Sequence, residues 1–157
     1  SKIVSEINKT AASVNEKVDK IGGPLGRKSA GQIASGLSAG STRIEGLLPR
    51  FEENVAAVID FLSSYTTWLF DDPPKEEGLK TSFRLQVSSL LEGMRVALER
   101  VKSNRQSMTN LAIISKEVKK SSRRMSQGLD RLITSLDKVN EACLKSIRLI
   151  DERLNKS

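Results

Sequence analysis

A chain of 157 residues can enclose one hydrophobic core of modest size. It contains no histidine and a single cysteine, Cys143, which excludes histidine acid–base chemistry, cysteine-cluster metal sites and internal disulfides. Its charge of +7, from 26 Lys and Arg against 19 Asp and Glu, favours acidic partners. The lone cysteine suits a reducing compartment. No apolar run approaches the roughly 20 residues that span a bilayer as a helix. Ser1 in place of methionine reads as a processed chain or a fragment, so missing targeting signals carry little weight. The expected placement is intracellular and peripheral to a membrane.

Residues 1–21 carry Ile3, Ile7, Thr10, Val14 and Ile21 at loose helical spacing and predict an N-terminal helix. The next stretch, Ile21 to Ser29, reads IGGPLGRKS and has the ingredients of a phosphate-binding loop. The spacing fails. Gly26 is followed by Arg27 with Lys28 one place late, and position 21, where the first glycine would stand, is isoleucine. A helix terminator with a solvated basic pair is the better reading.

Residues 22–42 are rich in Gly, Ala and Ser and predict a linker or a small-residue helix. Gly36 and Gly40, with Ala30 and Ala34, offer the four-residue spacing that packs helices closely in lipid. Only Ile33 and Leu37 add bulk over residues 29–42, so membrane anchoring there would be weak.

From residue 43 the chain predicts a bundle core. Ile44, Leu48, Phe51, Val55, Val58, Leu62, Tyr65 and Leu69 repeat at a spacing near 3.5, with Pro49 suited to a first helical turn. Glu52 and Glu53 would then sit favourably in the helix dipole. All six aromatic residues fall between 51 and 83. Phe61, Trp68 and Phe70 lie off the stripe and are candidates for a partner interface, against the plainer role of a hydrophobic plug. Residues 70–79, FDDPPKEEGL, predict a hairpin connector.

Beyond Gly78 a second stripe runs from Phe83 to Ile150. Sixteen of its twenty positions are apolar and none is charged, which predicts a coiled-coil-like seam. One unbroken helix over 80–154 would be about 110 Å long. Two helices are favoured, with the break at 121–128, where SSRRMSQG lowers helix propensity.

The strongest signal is electrostatic. Arg100, Lys102, Arg105, Lys116, Lys119, Lys120, Arg123 and Arg124 face only Glu117 across 100–124, and this excess equals the net charge of the whole chain. It suits an acidic protein or an anionic membrane surface. Nucleic acid is the least favoured partner, because no aromatic residues interleave with these charges. Arg123 to Ser126 also has the spacing of a basic-directed phosphorylation site. No paired carboxylates on an apolar face suggest catalysis.

The sequence therefore predicts an all-α protein, an antiparallel helical bundle or elongated coiled-coil-like array of three to five helices, without cofactor or enzymatic activity. Its expected role is an interaction module docking a basic face on an anionic surface. A membrane-permeabilising helical protein and a self-associating structural protein, a homo-oligomer, are the alternatives.

Overall fold

The computed structural model describes residues 30–113 and 115–155. Within them the chain is all-α: three helices packed against each other, with no strand. They are α1, Ala30–Leu69; α2, Glu77–Leu111; and α3, Lys116–Asn155. The predicted helix over 1–21 and the loop Ile21–Ser29 lie outside the described residues.

Cross-helix bonds fix the directions. Between α1 and α3, Ser38 meets Ser121, Glu45 meets Arg124, Glu52 meets Arg131 and Thr66 meets Ser146, so both partners advance together and the helices run parallel. Between α2 and α3, Arg84 meets Asp151 and Arg105 meets Asp130. An advance along α2 is matched by an equal retreat along α3, and this pair is antiparallel.

The stripes read from the sequence form the core. Leu48, Phe51, Val55, Val58 and Leu62 of α1, Val87, Met94 and Val101 of α2, and Val118, Met125, Leu129, Leu132, Leu136 and Val139 of α3 are buried. The helix α3 buries more than its stripe because it packs against both neighbours. Ser121, Gly128 and Ser135, seven residues apart, are also buried and form a flank of small side chains. Gly128 faces α1 so closely that an added Cβ would lie 3.1 Å from Ile44 Cγ2.

That flank explains where the predicted break goes wrong. The helix α3 passes through 121–128 without interruption, and the turn falls instead at 112–115. The serines and Gly128 let α1 approach, and burial offsets their weak helix propensity. Ser126, at 8% exposed, is buried in the same helix, so the predicted phosphorylation site is inaccessible in the folded chain.

Pro49 is corrected in the same way. The helix α1 begins no later than Ala30, so Pro49 lies inside it rather than in its first turn, and Glu52 and Glu53 are mid-helix. Burial of Ile33, Ala34, Leu37, Gly40 and Ser41 holds the glycine-rich turns upstream. Pro49 stays on the exposed side, removing one helical hydrogen bond to the Glu45 carbonyl.

The connector of residues 70–76 lies within the predicted hairpin. It starts where Pro73 and Pro74 forbid further helix, and the Lys75 amide closes it on the Leu69 carbonyl at 3.0 Å.

Replacing Gly128 by leucine should drive a side chain into Ile44 and destabilise the fold by about 1–3 kcal/mol. Gly46→Ala, where an added Cβ meets nothing within 4 Å, should stabilise by about 0.5–1 kcal/mol. Urea unfolding followed by circular dichroism measures both; equal effects would contradict the close approach at Gly128.

Candidate anionic-surface site

The helix α3 opens with a defined cap. The Ser115 hydroxyl accepts from the Val118 amide at 3.2 Å, and the Ser115 carbonyl accepts from the Lys119 amide at 2.9 Å. Ser115 sat on the predicted apolar stripe; its work is to start a helix. The preceding helix closes as the Ala112 amide donates to the Met108 carbonyl at 3.1 Å. Leu111 and Val118 are buried on either side, so the connector is held at both ends.

The eight basic residues singled out in the sequence do not form one patch. Arg124 turns towards α1, donating to both carboxylate oxygens of Glu45 (closest 2.7 Å) and to Thr42 Oγ1 at 3.0 Å. Arg105 donates to Asp130 at 2.9 Å and to Thr109 at 3.1 Å. Arg100 and Lys102 are exposed on α2, roughly 15 Å or more along its axis from the connector.

The remaining four converge. Lys116, Lys119, Lys120 and Arg123 follow an i, i+3, i+4, i+7 pattern, which places them on one face of the first turns of α3. All four are exposed, opposite the buried Val118, Ser122 and Met125. None makes an ion pair among the described residues. The neighbouring part of α1 adds no acid, because residues 30–44 contain no Asp or Glu and include Arg43.

One residue at this end was not singled out in the sequence. Ile113, in the connector, is 88% exposed, the most exposed large apolar residue described. The available signal was an isoleucine off the heptad stripe three residues before a lysine.

The opposite end is built differently. Tyr65 stacks 4.4 Å from Phe83 and 5.2 Å from Trp68, while Phe61 lies 5.4 Å from Tyr65. Phe61 and Trp68 remain 41% and 44% exposed; Phe70 is half-buried. Cations cover two of these rings: Lys75 lies 4.7 Å over Trp68, and Lys80 and Arg153 lie 4.6 and 5.3 Å over Phe70. Beside Phe61 an open cavity of about 490 Å³ separates α1 from α2, lined by Val58, Leu62, Phe83, Leu85 and Leu90.

The small-residue candidates lie in the first turns of α1. Gly40 is buried and Gly36 half-buried, with nothing within 4 Å of a Cβ added at Gly36. No described helix is long and apolar enough to cross a membrane. No cluster of three metal-ligating side chains occurs among the described residues.

Two carboxyls and a thiol show shifted titration with clear causes, beside the raised arginines of the ion pairs. Hydrogen bonds from Arg124 hold the Glu45 carboxyl below its ordinary value, and those from Arg84 do the same for Asp151. Burial pushes the Cys143 thiol up to about 11.

No family model, curated protein or solved structure matches the chain.

The two carboxylates favour the folded state above their ordinary pKa values, and that gain is lost as pH falls through the lowered ones. Cys143 acts at the other limb. Its contribution is complete below about pH 9 and is lost as pH rises through about 11. Urea midpoints should therefore fall at both extremes. Cys143→Ala should reduce the alkaline decline, and an alkaline limb identical to the parent's would refute the buried-thiol contribution.

Proposed function

We propose that the chain is a non-enzymatic helical module that docks the outward face of Lys116, Lys119, Lys120 and Arg123 on an anionic surface, either an acidic protein or a membrane. The observation that carries this reading is the contrast between these four cations and the interhelical arginines. Arg84, Arg105, Arg124 and Arg131 are each matched to a carboxylate on another helix. The four at the start of α3 stand together without one among the described residues. Four like charges at i, i+3 and i+4 repel each other mildly, a cost that an anionic partner removes. Our finer reading of the fold is an elongated antiparallel bundle with a coiled-coil-like seam, which would present this face from a stiff scaffold.

The cavity beside Phe61 favours a second reading, contact with a helical partner or another copy of the chain. Leu85 is 61% exposed at its edge, and Phe61 and Trp68 extend the apolar surface. Light scattering across a concentration series tests this directly: a constant monomer mass counts against self-association. The permeabilising reading rests on insertion of the 29–42 segment, with Gly36 and Gly40, or of the aromatic end, and is weaker.

Reversing all four charges (Lys116→Glu, Lys119→Glu, Lys120→Glu, Arg123→Glu) tests the leading reading. At about 1 kcal/mol per basic group near an anionic surface, simple loss of the four cations removes about 4 kcal/mol at low salt. Binding by the parent should weaken steeply as salt rises. Undiminished binding of the variant to both anionic vesicles and polyglutamate would discard the proposal.

A further inference from the structure

Ile113 and the four cations occupy the same end of the molecule. Ser38 meets Ser121 across the parallel pair, so the start of α1 and the connector before α3 lie at one level. Over that end the only carboxylate among residues 30–44 and 112–123 is Glu117. At the far end Asp71, Asp72, Glu76 and Glu77, all exposed, stand among Lys75, Lys80 and Arg153, so positive charge is balanced there. The molecule is therefore polarised along its length.

The exposure of Ile113 does not come from a fraying end. Leu111 and Val118 are buried around it, the Ala112 amide is bonded, and Ser115 caps the following helix. A lone exposed apolar residue is ordinary on a protein surface. Here it stands in a connector held at both ends, three residues before the first of four cations that lack a carboxylate partner among the described residues. An apolar group beside a cationic face matches the layering of a bilayer surface, where headgroup charge lies just outside the acyl region.

We propose that Ile113, in the connector between α2 and α3, is a membrane anchor. Ile113 enters the boundary between headgroups and acyl chains of an anionic bilayer, while Lys116, Lys119, Lys120 and Arg123 engage the headgroups. This identification rests on the docking reading above and names its surface as lipid. Charge supplies attraction from a distance, and Ile113 supplies depth. The far end, where acids and bases are interspersed, points away, which fixes an end-on orientation.

The full chain is tested on vesicles of equal parts phosphatidylcholine and phosphatidylserine, and on phosphatidylcholine alone. Ile113→Ser should weaken binding to the anionic vesicles about tenfold without shifting thermal unfolding, since Ile113 buries almost nothing. In a Trp68→Phe background, the fluorescence of I113W should shift to the blue on those vesicles and be quenched by brominated acyl chains; vesicles without phosphatidylserine should give neither change. Salt-dependent vesicle binding that charge reversal abolishes but Ile113→Ser leaves unchanged would overturn the anchor and keep the docking reading. Binding to polyglutamate with none to vesicles would overturn lipid as the surface. Binding to neither overturns both.

Discussion

The helix α3 has to bury two faces at once, and the rest of the structure follows from that constraint. One seam of apolar residues every three and four positions is enough for one neighbour. A second neighbour requires a wider buried arc, and along the α1 side that arc is made of Ser121, Gly128 and Ser135. Small side chains bring the helix axes together, which lets Ile44 and Leu48 close over Gly128. Close approach then sets the reach of the flanking charges. Arg124 and Arg131, seven residues apart, find Glu45 and Glu52, also seven apart, so the two pairs share one register.

The same register sorts the basic residues into two populations. An arginine on the flank of α3 meets a carboxylate because a neighbouring helix lies beside it. Lys116, Lys119, Lys120 and Arg123 occupy the face turned away from the core, where none of the three described helices supplies a counter-charge. Such exposed pairs as Glu45–Arg124 add little stability singly, but they remove Arg105 and Arg124 from the surface charge available to a partner. The cluster seen in the sequence is thus smaller in space and more concentrated.

Much of the fold was legible because burial is written as periodicity. From Phe83 to Val101 and from Val118 to Ile150, most stripe positions are buried. The turn between α2 and α3 was not legible, for a specific reason. Leu111 and Val118 are seven residues apart, so the heptad phase continues across a reversal of chain direction, and 112–115 contain neither Gly nor Pro. The weak helix formers stood elsewhere, at 121–128, where close packing rather than chain reversal calls for them. At the start of α1 the sequence left a linker and a small-residue helix both open, and burial of Ile33 and Leu37 goes with the helix. At the candidate site the charges were legible, but their partners were not. Glu45 lies 79 residues from Arg124, and local sequence holds no record of that pairing.

The two ends of the molecule show how one composition gives two surfaces. At the aromatic end, Lys75, Lys80 and Arg153 lie over Trp68 and Phe70, and acids stand close by, so charge and apolar surface satisfy each other within the chain. At the other end neither occurs. Ile113 is 88% exposed among the described residues, and the neighbouring part of α1, residues 30–44, holds no acid for the cations. Apolar and charged groups therefore mean different things at the two ends. Cations cover Trp68 and Phe70 at the first, whereas among the described residues neither Ile113 nor the four cations at the second has such a partner.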